Sequence, residues 1–133
     1  MLPLRTFFLM IILFSSALNA VEKDREVHLK KDVFERVRIE TGTLQHILEF
    51  RWSLYSNGVL VLHKSFDQRV SQHTLRLNHT NQGIRIKLMP QSGYKTTIPY
   101  IFIHFKSFDF EKNEAVFTIR LNDNTDEIKW EKI

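Results

Sequence analysis

The chain is expected to fold as an all-β protein, an antiparallel β-sandwich of about eight or nine short strands. Three observations predict it: apolar and polar residues alternate through most of the sequence, turn residues recur at short intervals, and 3.6-residue periodicity is almost absent. A small up-and-down β-barrel is the alternative, because both architectures draw on the same alternation.

The first 20 residues are expected to lie outside that fold. Met1 to Arg5 carries one positive charge, Phe7 to Phe14 is an unbroken apolar run, and Ser15 to Ala20 is small and polar apart from Leu18. That order is the signature of a secretory signal, and cleavage is expected after Ala20. The apolar run is shorter than the roughly 20 residues that cross a bilayer, and Glu22 to Arg25 bring four charges directly behind it. Residues 21–133 then form one domain, with no transmembrane span left after cleavage.

Each strand has its own pattern. Segments 26–31 and 35–40 open the domain, and only Lys31 to Arg38 has the spacing of a short helical turn. In 44–56, Leu44, His46, Leu48, Phe50, Trp52 and Leu54 occupy one face, and Ile47 and Tyr55 break the polar run on the other. Asn57-Gly58 then signals a hairpin into 59–66. A one-residue slip turns every side chain over, so the register that pairs apolar with apolar is preferred. A three-residue loop Ser56-Asn57-Gly58 does this, setting Leu54 against Leu60, Trp52 against Leu62 and Leu48 against Phe66. Segments 70–78 and 84–89 follow, the latter alternating Ile84, Ile86 and Leu88 with Arg85 and Lys87.

Segment 98–108 is apolar on both faces: Tyr100, Phe102, His104, Lys106 and Phe108 on one, Ile101, Ile103 and Phe105 on the other. Such a strand is expected to be central and covered on both sides. Segments 114–121 and 127–131 alternate again, with Ala115, Phe117, Ile119 and Leu121, then Ile128 and Trp130, pointing inward. The remaining turns are expected at 79–83, 89–97, 110–114 and 122–126. Short links between consecutive strands favour antiparallel pairing.

Composition narrows the function classes. Losing Arg5 with the leader takes the 19 Lys plus Arg to 18, against 15 Asp plus Glu, a balance too mild for a nucleic-acid binder. The chain has no cysteine, so it stands without disulfides, which favours a periplasm over an extracellular medium. Asn78-His79-Thr80 matches the glycosylation acceptor pattern, which carries no meaning in a bacterial periplasm.

The six histidines, of which His46 and His104 sit in strongly apolar strands, show no metal-ligand spacing, and no cofactor motif is present. No serine stands in a nucleophile-elbow pattern, and the carboxylates fall on wet faces and in turns, so no catalytic residues are assigned.

Charge layout is more informative. From Gln68 through Phe108 no acidic residue occurs, whereas the final 25 residues hold seven acidic and four basic ones. If 70–78 and 84–89 form a hairpin, Arg76, Arg85 and Lys87 share one solvent face. The chain is therefore expected to be a non-enzymatic binding or accessory module. Its basic sheet face would meet an anionic partner: a lipid headgroup, a glycan or an acidic protein. In the barrel alternative, Trp52, Tyr100 and Phe102 line a cavity for an apolar ligand.

Overall fold

Steric alternation along an extended chain sends successive side chains to opposite faces, and the inward set here is nearly all Val, Ile, Leu, Phe and Trp. The computed structural model describes residues 23–41, 44–88, 99–122 and 128–133. The expected leader, its cleavage point, most of the 89–97 and 122–126 turns, and Lys95 fall outside them.

The strands are β1 (Asp24–Lys30), β2 (Glu35–Thr41), β3 (Leu44–Ser56), β4 (Val59–Phe66), β5 (Arg69–Arg76), β6 (Gly83–Lys87), β7 (Tyr100–Asp109), β8 (Glu114–Asn122) and β9 (Ile128–Lys132). Every one lies within about two residues of its expected span. Lys31-Asp32 is a turn and Glu35 to Arg38 is strand, so the one helical candidate is not helical. No helix long and apolar enough to cross a membrane occurs among the described residues.

Two antiparallel sheets result, one ordered β1-β8-β7-β6 and the other β5-β4-β3-β2-β9. They do not close into a barrel, and the sandwich stands. Val37, Ile39, Leu48, Phe50, Leu60, Leu62, Ile101, Ile103, Phe105, Phe117 and Ile119 have no exposed surface and fill the space between the layers. Phe50 meets Phe117 edge-on across that space, with ring centroids 5.5 Å apart. Trp52 is 3% exposed and donates its indole N–H to the Leu29 carbonyl at 2.7 Å, tying one sheet to the other.

The β3–β4 hairpin corrects one expectation and keeps its consequence. Its turn has two residues, not three: Ser56 faces Val59, and Asn57 (φ 51°) and Gly58 (φ 79°) are both left-handed. Leu54 consequently faces Val61, and Tyr55 faces Leu60. Trp52 nevertheless faces Leu62 and Leu48 faces Phe66, because Ser53 is an extra residue that shifts the register between Trp52 and Leu54. A bulge of this kind reverses the face presented by everything beyond it. Tyr55 therefore turns inward against the core, and Leu54 is left 58% exposed.

Strand β7 has a matching irregularity between Phe105 and Ser107, which turns Phe108 from the outer face to the inner one. The two bulges meet across the sandwich: Tyr55 and Phe108 stack with centroids 4.0 Å apart and planes within 5°.

A second correction concerns β5 and β6. They are edge strands of different sheets, joined by a crossover. Leu75, 1% exposed, buries its side chain against the five-stranded sheet's inner face, while Ile86, 5% exposed, serves the other sheet. The hairpin that would have gathered Arg76, Arg85 and Lys87 does not form, so Arg76 is separated from the other two.

Candidate functional site

β7 is central in its sheet, as expected, but only its inner face is fully covered. Ile101, Ile103 and Phe105 are buried, whereas Tyr100, Phe102 and His104 on the outer face are half-buried. They form a row along one strand, flanked on β6 by the exposed side chains of Arg85 and Lys87, which face Phe102 and Tyr100.

The Arg85 guanidinium lies 4.2 Å from the Tyr100 ring centroid, a cation held over an aromatic face. Asn122 donates to the Tyr100 hydroxyl at 3.0 Å and fixes that ring from β8. Phe102 and His104 stack at 5.9 Å. Burial, and then the positive charge of Arg120, hold the His104 imidazole below its ordinary pKa. Phe102, His104, Lys106, Thr118 and Arg120 together line a shallow depression in this face.

Gly83 makes the row possible at the β6 edge. A Cβ at this position would lie 2.4 Å from the Phe102 ring and 2.8 Å from the Ile103 carbonyl oxygen. The ring can swing away, but the carbonyl belongs to the paired strand. Gly83→Ala is therefore expected to destabilise the fold by about 1–3 kcal/mol, as forced overpacking does. A shift in the urea midpoint would measure it, and an unchanged midpoint would show that the Ile103 carbonyl does not approach Gly83 so closely.

The electrostatics of the face are polarised. β1 contributes Asp24 and Glu26, and these are matched by Arg120 at 3.0 Å and Lys106 at 3.5 Å. The Glu26 carboxyl is held below its usual range, first by its hydrogen bond to His28 and then by Lys106. Arg85 and Lys87, at the opposite edge, have no acidic partner within ion-pair distance among the described residues.

Of the residues expected to bind an anion, the structure brings Arg85 and Lys87 together and leaves Arg76 exposed on the other sheet. Of those expected to line a cavity, Trp52 is in the interlayer core while Tyr100 and Phe102 are on the outer surface. The three do not face one interior.

Three hydroxyl–imidazole contacts were not apparent from the sequence: Thr41 with His46 at 3.3 Å, Ser53 with His63 at 2.7 Å, and Ser71 with His73 at 3.0 Å. In the first, His46 Nδ1 also meets Asp67, giving the hydroxyl–imidazole–carboxylate order of a nucleophilic relay. Thr41 is only 6% exposed, however, and the hollow beside Asp67 is lined by Ile47, Glu49, Ser65, Asp67 and Gln68 rather than by Thr41 or His46. Asp67 also accepts the Ile47 N–H at 3.2 Å, so the group acts as a clasp joining the ends of β2, β3 and β4. No local signal reveals it, because its members are brought together by strand pairing.

Burial lowers the pKa of the Lys64 ammonium, and burial together with that charge lowers His73. No group of three or more His, Asp or Glu side chains suited to a metal ion occurs among the described residues. No protein-family model, curated protein or solved structure matches the chain, so the functional reading rests on this geometry.

Proposed function

We propose that the protein is an exported, non-enzymatic binding or accessory module that engages an anionic partner through the β6–β7 side of its four-stranded sheet. One observation carries the reading: among the described residues, Arg85 and Lys87 stand without acidic partners beside the half-open row Tyr100, Phe102 and His104. Cations next to flat, partly desolvated rings bind anions more strongly than cations in open water, because nearby apolar surface lowers the local dielectric. Export is supported by the charged start, apolar centre and small-residue exit of residues 1–20, and a periplasm is favoured as the compartment by the absence of cysteine.

The test is binding at low salt to phosphatidylglycerol vesicles, to a polyuronate and to an acidic protein, the three arms separating lipid, glycan and protein sources. Arg85→Glu with Lys87→Glu is expected to weaken binding at least about tenfold, at about 1 kcal/mol per cation near an anionic surface. Arg76→Glu makes the same kind of charge change on the other sheet and is expected to do much less. Equal weakening by Arg76→Glu would refute this face as the site. Added salt is expected to weaken binding to the native protein.

A further inference from the structure

Among the described residues, both outer strands of the four-stranded sheet present unpaired backbone. Lys23 bonds to β8 through its carbonyl, which accepts the Leu121 N–H at 2.8 Å, so Asp24, Glu26 and His28 aim their backbone groups away from the sheet. On the other side, the Gln82 carbonyl accepts the Phe105 N–H at 2.9 Å and the Leu88 N–H reaches the Pro99 carbonyl at 3.0 Å. Gly83, Arg85 and Lys87 therefore aim theirs outward. By contrast, the loop after β5 covers part of that strand's edge, with Arg76 N–H to the Asn81 carbonyl at 3.2 Å and the Asn81 amide to the Thr74 carbonyl at 3.4 Å. No backbone hydrogen bond outside the sheet reaches residues 24–28 or 83–87 among the described residues.

The two open edges are complementary. Three successive antiparallel pairings separate β1 from β6, so the two strands run in opposite directions. A second copy that lays its β1 beside β6 would continue the sheet in antiparallel sense. Setting Lys87 against Asp24 places Arg85 against Glu26 and Gly83 against His28, with all these side chains on the same outer face. In that register the opposed residues exchange both backbone hydrogen bonds, and opposite charges sit directly across from each other. Like edges meet like charges when centred on these residues: two β1 edges centred on Glu26 set Glu26 against Glu26, and two β6 edges centred on Arg85 set Arg85 against Arg85. Charged edges ordinarily prevent strand addition. Here the charges favour the head-to-tail pairing, in which they are matched across the seam.

We infer that the anionic partner of the β6 edge is the β1 edge of a second copy of this chain, joined by antiparallel strand addition into an open, head-to-tail assembly. This rests on the reading that Arg85 and Lys87 engage an anion. The exchange is inexpensive, because Asp24–Arg120 and Glu26–Lys106 are exposed ion pairs of small net worth.

Sedimentation velocity on the purified protein at low salt tests it. The weight-average mass of the native protein is expected to climb with concentration without levelling at a dimer, and to fall back on adding salt. Arg85→Glu with Lys87→Glu, and separately Asp24→Lys with Glu26→Lys, are each expected to sediment as monomers. An equimolar mixture of the two variants is expected to associate again and at least double the mean mass, which also shows that both are folded. A native protein that stays monomeric, one that stops at a closed dimer, or a mixture that fails to associate would overturn the inference. Monomeric native protein that still binds vesicles or polyuronate through Arg85 and Lys87 would overturn the assembly while leaving the anion-binding reading intact.

Discussion

Trp52→Ala is expected to lower the free energy of unfolding by about 3–5 kcal/mol, the range for removing a fully buried aromatic side chain. Trp52 is 3% exposed, packs edge-on against Phe108 with centroids 5.5 Å apart, and bonds to the backbone of the facing sheet. The cavity would open beside the stacked pair Tyr55 and Phe108, whose positions depend on bulges in two separate strands. A bulge cannot relax without moving its own register, so the walls are poorly placed to collapse inward. Trp52→Phe separates the contributions: it keeps a ring against Phe108 and loses the indole N–H, for which a net cost of about 0.5–1.5 kcal/mol is expected before any packing loss. Urea unfolding followed by circular dichroism measures both. A loss under about 1 kcal/mol for the alanine variant would show that the two sheets do not close on this residue.

The second large effect has the opposite sign. Glu35→Leu is expected to stabilise the fold by about 1–4 kcal/mol. Glu35 begins β2 with its side chain inward, 2% exposed, across from Phe50. Its Oε2 is 3.6 Å from the Lys132 ammonium, while Oε1 has no hydrogen-bond partner. Removing a carboxylate from water costs several kcal/mol, and a single long contact to a lysine whose side chain is 67% exposed offsets little of that. Leucine has similar volume and would lie across from Phe50 on the inner face, while Lys132 stays solvated. The unfolding midpoint is the measurement. A loss of stability in the leucine variant would show that the carboxylate is held by a partner outside the described residues.

Much of the architecture was legible in the chain because the relevant signal is local. Leu44 to Trp52 alternates except at Ile47, and Tyr55, the second residue to break the pattern, stands two places beyond the bulge at Ser53. That exception was the visible trace of the bulge. A longer turn accounts for the same pairing, because both devices set Trp52 against Leu62. The same ambiguity hid Phe108, which alternation put on the outer face until the irregularity after Phe105 turned it inward. For the candidate site, Arg85 and Lys87 on one strand were readable as neighbours, and the acid-free stretch identified them. Arg76 was misplaced because strand order is not written in alternation: a connection such as 77–82 serves a hairpin or a crossover equally well.

Residue order alone was sufficient for the all-β class, the approximate limits of nine strands, most of the inward set of side chains away from the two bulges and the basic character of the central stretch, since each depends on a two-residue period or on a count of charges. The division into four and five strands, the bulges that stack Tyr55 on Phe108, the Thr41–His46–Asp67 clasp and the uncovered face of β7 emerged only when distant segments paired. The reason is physical: side-chain direction is set by neighbouring bonds, whereas the choice of sheet partner is set by contacts between residues tens of positions apart, whose energies no short window of sequence contains.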